Sequence, residues 1–262
     1  ALFNILQEGD IQIRGFKLRL PLDISFVFTA NPEDYTNRGS IVTPLKDRIE
    51  SQILTHYPKT LETSLAITEQ EADILEAQKQ RVDISDLIKR LIEQVSFEAR
   101  SNEFVDKKSG VSARLTIAAF ENAISSAERR AIIHNEKHTY VWISDLMGII
   151  PSITGKIELV YEGEVEGPVY VAQSLIGKAM RTEFLKYFPN PEAVKKKKSG
   201  KNPFQQVSNW FGEDNVIDFT NDLTDREYRA RLKTIEGLES SSGASIKTIN
   251  KLKASHLIEL FL

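Results

Sequence analysis

The chain has 262 residues, 41% of them hydrophobic, enough to bury a substantial core, and a formal net charge of −3 that supplies no global positive field for nucleic acid or anionic lipid. It contains no cysteine, which excludes disulfides, thiolate metal sites and cysteine nucleophiles and fits a reducing compartment. No apolar run approaches the roughly 20 residues of a membrane-spanning helix, and no signal peptide precedes the first strand, so a cytoplasmic protein without membrane contact is expected.

The opening "ALFNILQEGD" reads as the last turns of an amphipathic helix, with Leu2, Ile5 and Leu6 on one side and Gly9 near its C-terminus; a chain that starts in mid-helix is expected to be part of something longer. Two alternating runs, "IQIRG" and "FKLRLP", predict a β-hairpin around Arg14 and Gly15, with the turn type left open. "LDISFVFTA" is nearly continuous in β-formers, as a strand buried on both faces would be, and "ESQILTHYP" is a second strand candidate ended by Pro58. Pro44 to Ile49 fits one or two helical turns between them. Residues 1–57 therefore predict part of an α/β sheet.

From residue 58 the period becomes 3.6. A helix containing "ITEQEADILEAQ" precedes two longer ones, the first with Ile84, Leu87, Ile88, Leu91, Ile92 and Val95 on one face, the second with Ile117, Phe120, Ile124, Ala127 and Ala131. "YVWISDLMGII" predicts a shorter helix closing this bundle before Pro151. Residues 58–150 are thus a helical domain. In 151–262, "KIELVY" is strand-like, "EGEVEG" an acidic Gly-rich loop, and "VYVAQSLIGKAMRTEFLKYFP" an amphipathic helix with Leu175, Ile176, Ala179, Met180, Phe184 and Phe188 inward. "NPEAVKKKKSGKNP" predicts a solvated linker or exposed hairpin, "DREYRARLKTIEGLE" a further helix, and the stretch after "ESSSGAS" a last amphipathic helix through Leu262. Trp142 and Trp210 are expected core anchors. His134 and His138 stand four apart, a spacing that shares a metal on one helical face, but a polar helix end explains them better and no metal site is expected. "EGEVEG" lacks the spaced ligands of a calcium loop.

Four of these stretches occur in a telling order: "GDIQIRGFKLRLP", "FVFTANPED", "PLKDRIE" and "SGVSARLTIAAFENAI". The series resembles the second half of an AAA+ ATPase core, most closely the magnesium chelatase ATPase subunit with its MoxR-type and minichromosome maintenance relatives. In that family a hairpin precedes the sensor 1 strand, the strand ends in Asn-Pro, a short helix ends in Asp-Arg, and a helical lid carries an arginine in Ser-x-Arg. The resemblance covers about residues 1 to 135. It implies the C-terminal part of a P-loop α/β core, residues 1–57, followed by a helical lid, 58–150, and a mostly helical extension, 151–262, of unassigned role.

The resemblance also implies roles. Asn31, an uncharged amide at the tip of a central strand, would orient a water beside the γ-phosphate. Arg48 would reach across a subunit boundary to stabilise transition-state charge, an effect on the order of 10³ to 10⁵ in rate for arginine fingers. Arg114, in the first turn of the lid helix after an N-capping Ser112, would contact nucleotide phosphate; there it opposes the helix dipole unless an anion is near. Taken singly, the residues also suit an Asx turn before Pro32, an ion pair of Arg48 with Asp47 or Glu50, and an ion pair of Arg114 with Glu121 or another carboxylate. The stretch from Asn31 to Arg48 is a few residues longer than in the chelatase subunit. No G-x-x-x-x-G-K-[ST] loop and no acidic Walker B strand occurs, so this chain alone is expected neither to bind ATP with Mg2+ well nor to hydrolyse it; the family places both motifs upstream of Ala1. The expected partners are further copies in a ring, a hexamer by family analogy, and a protein to be remodelled. A non-enzymatic interaction module, and a DNA-remodelling ATPase using Arg14, Lys17 and Arg19 on phosphates, are the alternatives.

Overall fold

The computed structural model describes residues 9–19, 25–29, 49–196, 202–219 and 223–238. Among them the protein is mostly helical, with two small two-stranded sheets, and the chain divides into two compact units, residues 1–57 and 58–262.

In the first unit, β1 (Asp10–Ile13) pairs antiparallel with β2 (Phe16–Arg19), Ile13 opposite Phe16 and Asp10 opposite Arg19. The two-residue turn has φ of 51° at Arg14 and 87° at Gly15. Positive φ at both positions identifies a type I′ turn, whose twist matches that of the strands. Gly15 adopts it without steric cost, whereas Arg14 is an uncommon tenant. The strands expected at "LDISFVFTA" and "ESQILTHYP" are corrected: Ser25–Thr29 and Ile49–Pro58 belong to no strand. Val27 and Ile53 are 87% and 88% exposed. A strand exists only through its ladder, and no described residue supplies one for these stretches. They carry no regular structure, and the rings of Phe26 and Phe28 stack at 6.1 Å. Asn31, Arg48 and, Ile49 apart, the short helix expected from Pro44 lie outside the described residues.

The second unit begins with α1 (Leu61–Glu71), N-capped by the Thr60 hydroxyl. The single helix expected through "ITEQEADILEAQ" is two, because the chain turns extended at Ala72 and re-enters a helix, α2 (Glu76–Arg81), only after Leu75. The Glu121 carboxylate accepts from the Asp73 N–H and the Gln78 side chain from the Leu75 N–H, so the break leaves these donors satisfied. β3 (Val82–Asp83) leads into α3 (Asp86–Ser101), where the Ser85 hydroxyl accepts from the Ile88 N–H. The predicted stripe of α3 is the core: Leu87, Ile88, Leu91, Ile92 and Val95 are at most 1% exposed. α4 (Arg114–Ile133) buries Leu115, Ala119, Ala123 and Ala127 against it. Small residues on one side of α4 let neighbouring backbones approach closely.

After α4, β4 (Thr139–Tyr140) pairs parallel with β3. A 3-10 helix, Ser144–Ile149, runs into α5 (Ile150–Thr154), so Pro151 opens a helix where the sequence suggested it would follow one. "KIELVY" forms no strand but two isolated antiparallel bridges, Ile157 to Val111 and Leu159 to Val105. The acidic stretch read as a loop is a helix, α6 (Tyr161–Glu166), followed by α7 (Pro168–Tyr187), whose Leu175, Ile176 and Ala179 pack on α3. α8 (Pro191–Lys196) replaces part of the expected linker; α9 (Gln205–Gly212) and α10 (Asp225–Thr234) complete the described elements. The expected last helix lies outside them.

α6 can lie against the Phe104 backbone because residue 163 is glycine. A Cβ there would stand 2.7 Å from the Phe104 carbonyl oxygen, a backbone atom that cannot swing away. Gly163→Ala is expected to destabilise the unit by about 1–3 kcal/mol, read as a lower urea midpoint; an unchanged midpoint would mean that α6 shifts freely.

A second, smaller core gathers Trp142, Val207, Leu223, Tyr228, Leu232, Ile235 and Leu238. Trp142 is 2% exposed and Trp210 packs against this cluster, as the sequence led one to expect. The Trp142 ring lies between the Tyr228 ring, stacked at 3.8 Å, and the Arg130 guanidinium, 3.3 Å from its centroid. Arg130 is itself 1% exposed and held at both tips: its two terminal nitrogens donate to Thr139 Oγ1, to the Tyr140 carbonyl and to Asp145 Oδ2, each at 2.8 to 2.9 Å.

Candidate functional site

Arg114 is the only one of the three residues singled out by the motif order that falls among the described ones. The loop before it is held at both ends. Its strand-like flanks bridge to Leu159 and Ile157, and the Asp106 N–H donates to the Glu158 carbonyl at 2.8 Å. Inside the loop, Asp106 accepts from the Lys108 N–H and the Ser109 hydroxyl, and these hydrogen bonds, the backbone one first, hold its carboxyl below the usual range. Gly110, at φ 72°, returns the chain into buried Val111.

The cap differs slightly from expectation. Ala113 is the last residue before α4, and Ser112 Oγ accepts from the Arg114 N–H at 3.2 Å, one position earlier than a standard cap. Arg114 is the first helical residue, its side chain exposed, with Leu115 and Thr116 beneath it buried. Its guanidinium has no ion-pair partner among the described residues. Glu121, one carboxylate considered as its partner, accepts from the Asp73 N–H at 3.0 Å. Lys107 and Lys108 are exposed in the preceding turn. A cation at the positive end of a long helix is electrostatically unfavourable unless an anion joins it. The arrangement can bind a phosphate or carboxylate through the Arg114 side-chain charge at the positive helix end, the Arg114 and Leu115 N–H groups being already engaged by Ser112.

Sequence reading missed what lies two residues further on. The Thr116 hydroxyl meets the Thr68 hydroxyl at 2.9 Å; Thr68 Oγ1 donates to Glu93 Oε1 at 2.6 Å and Ser64 Oγ to Glu93 Oε2 at 2.5 Å. Glu93 is fully buried, and burial pushes its carboxyl above the ordinary glutamate range, the two hydroxyls opposing that. This polar seam joins the start of α4 to α1 and α3. Its signal was present: Ser64 and Thr68 are spaced four apart, and Glu93 and Ser96 continue a helical row beside the apolar face.

A carboxyl with a raised folded-state pKa adds stability that is complete below the ordinary glutamate range and is lost as pH rises through the folded value. Glu93→Gln is therefore expected to flatten the pH dependence of the urea midpoint above the ordinary range while keeping the two hydroxyl contacts. A variant profile parallel to the parent would show that Glu93 folds already ionised.

His134 and His138 do not share a helical face. His134 ends α4, Asn135 turns left-handed at φ 54°, and His138 stands 3.5 Å from Asp83. No cluster of three metal-ligating side chains occurs among the described residues, and no helix among them is long and apolar enough to cross a membrane. No protein-family model, curated protein or solved structure matches the chain.

Proposed function

We propose that this chain is the sensor and lid portion of an AAA+ ATPase resembling the magnesium chelatase and MoxR-type enzymes, coupling ATP hydrolysis in a ring to the remodelling of a protein partner. In this reading residues 1–57 belong to the P-loop core, and the phosphate loop and the carboxylate for Mg2+ are supplied by sequence upstream of Ala1. Asn31 orients water, Arg48 acts in trans, and Arg114 contacts phosphate from the lid. The chain is cytoplasmic.

The observation that carries the reading is Arg114: exposed, without an ion pair among the described residues, on the first turn of a long helix, in the place that the order of motifs assigns to a phosphate-reading arginine. Through Leu115 and Thr116 the same turn is fixed to the bundle, so a phosphate drawn to Arg114 would pull on α1 and α3 together.

The test is made in the natural gene product, whose intact mass shows whether a phosphate loop precedes residue 1. Arg114→Ala there is expected to weaken ATP binding by about 10 to 100-fold, the loss of one charged hydrogen bond. Arg114→Lys should restore part of it. In this chain alone the same alanine should leave the unfolding free energy, read by urea titration, within about 0.5 kcal/mol, as for a surface residue. A natural product without a phosphate loop and without ATP binding would overturn the reading in favour of a non-enzymatic interaction module.

A further inference from the structure

The α6–α7 junction is built to present, not to bury. Of α6 only Gly163 is buried. Tyr161 and Val165, one helical turn apart on α6, are 77% and 69% exposed; Val169 and Tyr170, in the first turn of α7, are 54% and 55% exposed. Four large apolar or aromatic side chains within ten residues of chain are thus in water. The scaffold under them is fixed. The Val160 N–H donates to the Phe104 carbonyl at 3.0 Å, Gly163 closes on Phe104, and the Gly167 and Val171 N–H groups continue the hydrogen bonding through the junction.

Charge along this stretch of chain has one sign, with Lys107 and Lys108 on the loop that bridges to Ile157 and Leu159. From Ile157 to Gly177 the sequence carries Glu158, Glu162, Glu164 and Glu166 and no lysine or arginine. Glu162, Glu164 and Glu166 are exposed between and beside the apolar residues. Such a surface repels an anionic membrane and a phosphate backbone. A second copy in a two-fold contact would bring the same glutamates face to face. Complementarity leaves a cationic partner with apolar side chains of its own. Rigid tyrosines ringed by charge are frequent anchors in protein interfaces.

We propose that the α6–α7 face is a docking surface for a protein segment whose apolar side chains are flanked by lysine or arginine. The proposal is independent of the ATPase reading. It accounts for why the acidic stretch folds as a helix against Phe104: that fold holds Tyr161 and Val165 outward at a fixed spacing.

The probes are a short amphipathic Leu/Lys helical peptide and its Leu/Glu counterpart, titrated into the chain by fluorescence anisotropy. The Leu/Lys peptide is expected to bind with Kd of about 10 to 100 μM, weakening as salt rises, and the Leu/Glu peptide not at all. V165D, and separately E162K/E164K/E166K, should each weaken it about tenfold or more, with thermal melts unchanged because these side chains are exposed. E71K/E213K, the same kind of reversal on other elements, should have an effect of less than about threefold. Equal binding of both peptides, or equal loss in E71K/E213K, would overturn the proposal as general charge attraction. Self-association in sedimentation that V165D abolishes would overturn it in favour of a second copy, and binding to anionic vesicles through this face in favour of a membrane.

Discussion

In a ring assembled from the natural gene product, Arg48→Ala is expected to lower ATP turnover by about 10³ to 10⁵-fold while nucleotide binding persists. The size follows from the chemistry. Phosphoryl transfer to water needs positioning and charge neutralisation more than covalent help, and an arginine inserted from the neighbouring subunit supplies charge only in the transition state. The proposed role in trans makes a sharper demand. On that proposal Asn31→Ala and Arg48→Ala subunits should each be inactive alone, but mixed rings would contain interfaces where an intact Asn31 faces an intact Arg48. Random mixing makes about a quarter of interfaces whole, so activity should return on mixing two inactive proteins. Mixed rings as inactive as their parents would remove Arg48 from the transition state and leave it a surface ion pair with Asp47 or Glu50.

The largest effect on stability is expected at Asp145. Its Oδ2 accepts from Arg130 at 2.9 Å and from the Trp142 N–H at 2.8 Å, and both charged residues are 1% exposed. Burial pushes the Asp145 carboxyl up and the Arg130 charge opposes it. Asp145→Ala leaves a guanidinium without its counter-charge beneath an indole ring and is expected to cost about 3–5 kcal/mol. Arg130→Met with Asp145→Leu removes both charges and should recover part of that, the shortfall being about 1–3 kcal/mol for each buried group left without its partner among the Trp142 N–H, the Thr139 hydroxyl and the Tyr140 carbonyl. Urea unfolding of the three proteins decides the point. A loss below about 1 kcal/mol in the single variant would show that water reaches Arg130 and that the pair adds little.

The helical unit is largely legible in the amino-acid sequence. Leu87 to Val95 and Leu175 to Phe188 repeat at three and four residues because one face of each helix must be dry, and that constraint writes itself into local sequence. The hairpin is legible too, though Arg14 gives no sign that it turns left-handed. What fails depends on distant partners. "SFVFT" looks like a buried strand, but pairing is a property of neighbours, and none is described beside it. "YEGEVEG" looks like a loop because glycine and glutamate are weak evidence for order; the deciding fact, a Phe104 backbone that tolerates no Cβ at 163, lies 59 positions away as the residue numbers run. Around the candidate site, the start of α4 at Arg114 is readable from the Ser112 cap and the helical period, whereas the Glu93 seam arises where three helices converge and leaves only a faint spacing in each.

The docking of α1 has one more consequence. This helix buries Ser64 and Thr68 and places no residue in the main apolar core. Hydroxyl-to-carboxylate hydrogen bonds, with Lys89–Glu69 at 2.6 Å and Arg90–Glu62 at 3.5 Å at its rim, hold it down. Lifting α1 would wet little hydrocarbon, so the opening should carry a small heat-capacity change and a small denaturant slope. An eleven-residue helix does not persist alone. Its amides should therefore exchange with solvent by a local route nearly indifferent to urea, long before those of α3, making α1 the part of the bundle that lets go first and reforms most cheaply.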